Sequence, residues 1–214
     1  MSLRFKKNIN HNAIIGLWEI DPEILVGSAD LNLSQIQLKR LSSFGTDRKK
    51  AEFLSVIKLI QNILDLSNPV DVNYNVNGRP FLDALDYKIS ITHSGKFVAV
   101  LLSKDAVPGI DIEQVSDKIA HIEDKFMNED EMKSAEAEGE HQNIHRVVVW
   151  TTKEALFKFY GDGNIIFKEN LLLDPFKFDG KGVINASIVV RTMNKKFKVH
   201  YEQIEDYILT YVLG

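Results

Sequence analysis

The sequence predicts an α+β protein built from two halves, and three observations support this class. Its 214 residues are enough for one large domain or two lobes, and 44% hydrophobic with 26% charged residues is ordinary for a globular chain. Segments with helical periodicity and segments with alternating apolar and polar residues occur on both sides of a short link at 103–108. We therefore expect helices packed on an antiparallel sheet in each half, residues 1–106 and 107–214.

The first half begins with a strand and two helices. A strand is expected at 13–19, and apolar residues at helical spacing predict a helix over 31–44, which Gly45 ends. Thr46 is a suitable N-cap for a second helix. The apolar stripe of that helix consists of Phe53, Ile57, Ile60 and Leu64.

Two strands complete the first half. They follow a turn-rich segment, 65–80, in which Asn77-Gly78 is a strong turn signal. Residues 87–92 alternate between apolar and polar, and residues 97–102 form an apolar run. We expect an antiparallel pair connected through residues 93–96.

The second half opens with a short strand at 109–115. A charged, helix-prone segment follows at 116–140, and its sparse apolar residues predict an exposed helix and loop. Apolar residues at helical spacing from Val147 onward predict a helix that Gly161 ends. The rest of the chain, from Phe176, alternates and contains turn signals, which predicts an antiparallel meander.

Composition excludes several classes of function. The chain has no cysteine, which excludes a disulfide framework, a thiol nucleophile and a cysteine-based metal site. A net charge of −4 is unlike that of a nucleic-acid-binding protein. There is no apolar run long enough to span a membrane and no apolar core of a signal peptide. We expect a cytoplasmic protein that binds neither nucleic acid nor membrane.

Asp111 and Glu113 are the first candidate functional residues. At i and i+2 on a strand their side chains point to one face, while Ile110 and Ile112 point to the other. Two carboxylates so placed repel each other, and a hard cation such as Mg²⁺ or Mn²⁺ would relieve the repulsion. Glu154 could supply a third carboxylate. A half-exposed edge strand is the simpler alternative, and these two residues do not decide between them.

Several cationic or hydrogen-bonding groups could bind phosphate. They are Arg48 near a helix start, Arg79 in a turn, His93 with Thr92 and Ser94 in the hairpin, and Lys158 one turn after Glu154. A helix N-terminus favours an anion, and guanidinium binds phosphate bidentately. Taken singly, each group also has a structural explanation: a solvated helix face, a turn histidine, or a helix-stabilising pair at i,i+4.

Taken in order, four segments resemble the Sfp-type 4′-phosphopantetheinyl transferase family. They are NGRP, ITHSGKFVAV, GIDIE and WTTKEALFKFYGDG, between residues 77 and 163. The family has a Gly-Lys-Pro turn before a Ser-His-Ser hairpin, a Gly-(Ile/Val)-Asp-(Ile/Val)-Glu strand, and a Trp-(Ser/Thr)-x-Lys-Glu helix ending in Gly-x-Gly. The last two motifs match in full.

The resemblance implies a fold and a reaction. It implies a pseudo-dimer of two similar α+β halves with the active site at their interface, in a monomeric chain. It implies transfer of the 4′-phosphopantetheine group of coenzyme A to a serine of an apo acyl or peptidyl carrier protein, with release of 3′,5′-ADP. Such carriers serve fatty acid, polyketide or nonribosomal peptide biosynthesis.

The resemblance also implies roles for individual residues. Asp111, Glu113 and Glu154 would hold Mg²⁺ at the pyrophosphate of coenzyme A, with Asp111 essential to catalysis. Glu154 would also take the proton from the serine hydroxyl, and Lys158 would bind or protonate the departing 3′,5′-ADP. The groups implied to bind coenzyme A phosphates are Arg79, Thr92, His93 and Lys158, with Arg48 at the 3′-phosphate.

Two positions depart from the family pattern. Arg79 replaces the lysine of the Gly-Lys-Pro turn, which keeps the charge but changes its geometry. Ile57 stands where the family tends to have an arginine, five residues after a glutamate, so the sequence does not explain how the adenine end is held. Lys118, Lys125, Phe126 and Met127 are candidates for contact with an acidic carrier protein.

Two rival functions remain open at this stage. A scaffold that binds coenzyme A or a carrier protein without turnover would not need the carboxylates Asp111, Glu113 and Glu154. A Mg²⁺-dependent nuclease would need a lysine soon after the second carboxylate, whereas Glu113 is followed by Gln114 and Val115.

Overall fold

The structure is a computed structural model that describes residues 2–161 and 163–214, apart from the side chains of 27–30. Asp162, the middle residue of the predicted Gly-Asp-Gly helix end, lies outside the described residues. The chain divides into two compact units, Met1–Val107 and Pro108–Gly214. Each unit contains one antiparallel sheet and helices packed against it, which confirms the α+β class.

The first unit has a six-stranded sheet in the order β1-β2-β6-β5-β4-β3. Its elements are β1 (Ser2–Asn10), β2 (Ala13–Glu19), a 3₁₀ segment (Pro22–Leu31), α1 (Gln35–Ser43), α2 (Asp47–Leu64), β3 (Asn73–Tyr74), β4 (Pro80–Phe81), β5 (Lys88–Ser94) and β6 (Phe97–Ser103). Helix α2 packs on the central strands β2 and β6. It begins as predicted, because the side chain of Thr46 accepts a hydrogen bond from the Lys49 backbone N–H.

Three boundaries in this unit differ from the sequence prediction. Helix α1 begins at Gln35 rather than residue 31, because Ser34 and Gln37 form a capping box there. Strand β1 was not predicted, since seven of its nine residues are exposed and only Phe5 and Ile9 are half-buried. His93 belongs to β5, so the hairpin connection is only Gly95-Lys96.

The second unit has a five-stranded sheet in the order β7-β11-β10-β9-β8. Its elements are β7 (Pro108–Gln114), a 3₁₀ segment (Asp117–Ile122), α3 (Glu123–Phe126), α4 (Glu129–Ala137), a 3₁₀ turn (Gly139–His141), α5 (Gln142–Tyr160), α6 (Phe167–Asn170), β8 (Leu171–Leu173), β9 (Lys181–Val190), β10 (Met193–Ile204) and β11 (Tyr207–Leu213). The predicted meander is present as β9, β10 and β11. Helix α5 crosses β7 and β11.

The segment from 116 to 140 forms helices and loops that are mostly exposed or half-buried, as its composition predicted, but it also has a small buried side. Phe126 and Met127 are each 1% exposed and pack with Ala135 and Val149 in one apolar cluster. Val149 of α5 is the residue outside the segment that is buried in this cluster. The prediction that Phe126 and Met127 contact a carrier protein was therefore wrong, whereas Lys118 and Lys125 are exposed.

No helix in the described parts of the chain is both long enough and apolar enough to cross a membrane.

Candidate active site

Strand β7 and helix α5 bring Asp111 and Lys158 into direct contact. The Lys158 ammonium donates a 2.7 Å hydrogen bond to Asp111 Oδ1, and only 5% of the Asp111 side chain is exposed. Gly109 makes this close approach possible, because a Cβ there would lie 2.1 Å from the Ala155 carbonyl oxygen on α5. The glycine of the Gly-Ile-Asp motif thus sets the distance between the strand and the helix.

Glu154 has an unusual environment for a carboxylate. Burial, and then the charges of Asp111 and Glu113, raise its pKa to about 7, although the charge of Lys158 acts in the opposite direction. The four charged groups therefore lie within electrostatic reach of one another. A carboxyl with a pKa near 7 is suited to exchange a proton at neutral pH.

The same carboxylates determine whether a divalent cation fits. Asp111, Glu113 and Glu154 offer only hard oxygen ligands, as Mg²⁺ and Mn²⁺ require, and their mutual repulsion raises the pKa of Glu154. Among the described residues, no three His, Asp or Glu side chains already have a metal-binding arrangement. Instead, the Lys158 ammonium lies against Asp111. The chemistry of the donor set fits the cation, and the assignment of metal ligands stays a prediction.

Lys153 is a residue of this region that the sequence analysis missed. It is fully buried, and its ammonium donates to Glu131 Oε2 and to the Phe126 carbonyl oxygen, both at 2.6 Å. Burial lowers the pKa of Lys153, and the charge of Glu131 opposes that effect. The pair fixes α5 at the residue before Glu154. Helical spacing could have revealed this, because Lys153 lies between Val149 and Leu156 on the apolar face.

In the first unit, Glu52 lies between two of the predicted phosphate-binding groups. Glu52 Oε1 accepts a 3.0 Å hydrogen bond from Arg48 Nε, and Glu52 Oε2 is 3.7 Å from His93 Nδ1. Arg48 and His93 are therefore brought together at Glu52. Thr92 is buried, and it lies on the opposite face of β5 from His93 because side chains alternate along a strand.

Arg79 closes the turn that begins at Asn75. Its backbone N–H donates to Asn75 Oδ1 at 2.9 Å, its carbonyl accepts from the Asn75 N–H at 3.0 Å, and Gly78 has the positive φ that the turn requires. Burial lowers the pKa of the Arg79 guanidinium. The backbone thus fixes the position of this cation.

A cavity of about 260 Å³ lies beside His93 in the first unit. Its lining combines cations and aromatic rings: Arg40, Phe44, Lys49, Phe53, Tyr74 and His93. The Arg40 guanidinium stands 4.1 Å from the Tyr74 ring centroid and donates to the Val72 carbonyl oxygen at 3.2 Å. Ile57 lines the same cavity, so Arg40 from α1 supplies a guanidinium near the position where Ile57 departs from the family pattern.

Strand β7 carries Asp111 and Glu113 and faces helix α5, which carries Glu154 and Lys158. An α+β fold with these two elements defines a class of protein. Residues 108–212 match the model of the 4′-phosphopantetheinyl transferase superfamily. The resemblance seen in the sequence is thereby confirmed. The chain is also similar to the 4′-phosphopantetheinyl transferase gsp of Aneurinibacillus migulanus, with 30% identity over 115 residues. That alignment covers 53% of this chain and 48% of the relative, so it spans about half the length of each.

Proposed function

We propose that the chain transfers the 4′-phosphopantetheine group of coenzyme A to a serine hydroxyl of an apo acyl or peptidyl carrier protein, and releases 3′,5′-ADP. The observation that carries the proposal is the cluster of Asp111, Glu154 and Lys158 in the unit that matches the superfamily model. A scaffold that only binds coenzyme A has no need of a buried carboxylate held against a lysine, or of a glutamate with a pKa near 7.

Each group in the cluster has a role in this reaction. Glu154 accepts the proton of the serine hydroxyl, whose oxygen then forms a bond to the β-phosphorus of coenzyme A. The bond from that phosphorus to the bridging oxygen breaks, and Lys158 donates a hydrogen bond or proton to the departing 3′,5′-ADP. A divalent cation held by Asp111, Glu113 and Glu154 would neutralise the pyrophosphate charge.

The cations of the first unit are proposed to bind the nucleotide end of coenzyme A. Arg48 and His93 meet at Glu52, and Arg40, Lys49 and Tyr74 line the neighbouring cavity. An aromatic ring beside a guanidinium suits a purine, and the cations suit the 3′-phosphate. Arg79 and Thr92 complete the set proposed to bind the coenzyme A phosphates.

The carrier protein is proposed to dock beside Glu113. A cavity of about 260 Å³ lies there, with Lys118, Ile122 and Trp150 in its lining. Lys118 and Lys125 are exposed and are the cations proposed to contact an acidic carrier.

The test is a transfer assay with coenzyme A, Mg²⁺ and several apo carrier proteins, read by mass spectrometry of the carrier. We expect the phosphopantetheine mass increment with the unaltered chain, and at least a hundredfold slower transfer with Glu154→Gln or Asp111→Asn. Glu136→Gln, an exposed glutamate on α4, is the matched control and should transfer normally. Full activity of Glu154→Gln would refute its role, and activity in EDTA would refute the metal.

If the unaltered chain binds coenzyme A but transfers nothing to any carrier protein, the result favours the non-catalytic scaffold. Cleavage of DNA in Mg²⁺ by the unaltered chain but not by Asp111→Asn would favour the nuclease.

A further inference from the structure

Two buried threonines join helix α5 to the sheet of the second unit beside the carboxylate cluster. Thr151 lies on α5, Thr210 lies on β11, and both residues are 0% exposed. Their hydroxyl oxygens are 2.7 Å apart. The Thr151 hydroxyl is also 3.0 Å from the Val147 carbonyl oxygen, one helical turn earlier, which can only accept a hydrogen bond. Thr151 can therefore donate to its own helix and accept from Thr210.

The position of each threonine relates the pair to the proposed reaction centre. Thr210 is the direct cross-strand neighbour of Asp111, so the two side chains point to the same face of the sheet. On α5, Thr151 precedes Glu154 by three residues and Lys158 by seven, and these spacings place all three on one side of the helix. The hydroxyl bond thus connects the neighbour of Asp111 to the helical turn before Glu154.

A second close contact between helix and sheet lies one turn farther along α5. Gly109 of β7 approaches Ala155 so closely that a Cβ on the glycine would lie 2.1 Å from the Ala155 carbonyl oxygen. The four residues from Thr151 to Ala155 rise about 6 Å along the helix, and the two residues from Asp111 to Gly109 span about 7 Å along the strand. The two contacts therefore match in spacing. Together they restrain both the sliding and the rotation of α5 on the sheet.

Packing alone does not require hydroxyl groups at this place. Nearby residues of the same two elements, Val148 of α5 and Ile208 of β11, belong to an apolar cluster. Two valines would have nearly the shape of the two threonines, and replacing both partners of a buried hydrogen bond by apolar groups of the same shape costs little stability. Valine cannot supply a bond of fixed length and direction. The hydroxyl groups therefore indicate that position matters here more than stability.

We propose, on the basis of the function proposed above, that Thr151 and Thr210 are positioning residues for the transfer, which hold Glu154 and Lys158 in place opposite Asp111. A misplacement of about 1 Å can slow a reaction about a hundredfold, even when the altered residue does not touch the substrate. Partial loosening of α5 should therefore lower kcat and leave the KM for coenzyme A nearly unchanged.

Valine and serine variants separate position from packing. Thr151→Val with Thr210→Val, the valine pair, keeps the shape and removes both hydroxyl groups. Thr151→Ser with Thr210→Ser, the serine pair, keeps the hydroxyl groups and removes two methyl groups. We expect the valine pair to lower kcat about tenfold with less than about a twofold change in KM, and the serine pair to stay within about threefold of the unaltered kcat.

The midpoints of urea unfolding should rank the two pairs in the opposite order. The serine pair leaves two small cavities, whereas the valine pair fills the same space and leaves no hydroxyl group unpaired. A residue whose role is only structural would give kcat values that follow these midpoints. Thr152→Val is the matched control, because the Thr152 hydroxyl is buried without a hydrogen-bond partner among the described residues, and this variant should transfer at the unaltered rate.

Chemical labelling of lysines reads the geometry without any substrate. Lys158 donates to Asp111 Oδ1 at 2.7 Å, and this contact should protect it from acetylation by acetic anhydride. Peptide mass spectrometry gives its labelling rate relative to the exposed Lys168. We expect the valine pair to raise this relative rate severalfold and the serine pair to leave it unchanged. Should the serine pair not fold, Thr210→Ser alone replaces it.

Three results would overturn the proposed positioning role: an unaltered kcat in the valine pair, unaltered Lys158 labelling in the valine pair, or a serine pair that is slower than the valine pair. If the unaltered chain transfers nothing, the proposed function fails. The labelling rates then still decide whether the hydroxyl bond holds Lys158 in place.

Discussion

Replacement of Lys153 by methionine tests whether the buried pair with Glu131 holds the second unit together. The two side chains are 0% and 4% exposed, and methionine keeps the length of the lysine while removing its ammonium. Loss of one partner of a buried pair costs about 3–5 kcal/mol. Glu131 would retain hydrogen bonds from the backbone N–H groups of Leu173 and Asn128, at 3.1 and 3.0 Å. We therefore expect a loss near the lower limit, about 3 kcal/mol.

Urea unfolding followed by tryptophan fluorescence measures this loss. Trp150 lies in the second unit, with its ring 5.0 Å from that of Phe126, and a Trp18→Phe background removes the signal of the first unit. For a unit of this size, with an m-value of about 1.5 kcal/mol/M, the midpoint for Lys153→Met should fall by about 2 M.

Two further variants separate the charge from the packing. Adding Glu131→Gln to Lys153→Met should restore part of the stability, because the orphaned charge is then also removed. Lys50→Met breaks an exposed pair with Asp47 and should change the free energy of unfolding by less than about 0.5 kcal/mol. If Lys153→Met were as stable as Lys50→Met, the pair would not hold α5 in place.

Three other predictions concern packing, pH and substrate binding. Gly109→Ala should lower the free energy of unfolding in urea by about 3 kcal/mol, because the new Cβ would meet the Ala155 carbonyl. Gly45→Ala, which has open space around it, should leave this free energy almost unchanged. Equal midpoints for the two variants would contradict the prediction. Between pH 7 and 5 the free energy of unfolding should fall about 2 kcal/mol more in the unaltered chain than in His145→Phe. The pKa of His145 is about 4 in the folded state and about 6.5 in the unfolded state, so the unfolded state gains the proton first. Parallel pH profiles of the two proteins would contradict this. In steady-state kinetics Arg40→Ala should raise the KM for coenzyme A about tenfold with little change in kcat, and should raise the KM for 3′-dephospho-coenzyme A by a smaller factor. An equal rise in KM for both substrates would place Arg40 away from the 3′-phosphate.

The parts of the fold that sequence predicted are those whose signals are local. Strand β2, strand β6 and helix α2 follow from alternation, an apolar run and a capped amphipathic stripe. Strand β1 gives a weaker signal because seven of its nine residues are exposed, and it is held to β2 by backbone pairing and by the ion pair of Arg4 with Glu19. The burial of Phe126 and Met127, within residues 116–140, depends on packing with Val149 of α5, which is distant in sequence.

The same distinction applies to the candidate site. The period of a strand was enough to place Asp111 and Glu113 on one face, and motif order was enough to single out Glu154 and Lys158. The role proposed for Arg40 could not be predicted, because it depends on a stack with Tyr74, which comes from a different element. Tertiary contacts of this kind leave no mark in local sequence.

One carboxylate has a consequence for how the second unit opens. Glu131 caps its own helix through Asn128, accepts from Lys153 on α5, and accepts from Leu173 in β8. Helix α4 therefore cannot fray without exposing a buried ammonium on α5. Its amide protons should exchange with solvent at nearly the same rate as those of α5, as members of one cooperative unit, although a nine-residue helix with few apolar residues would ordinarily exchange much faster.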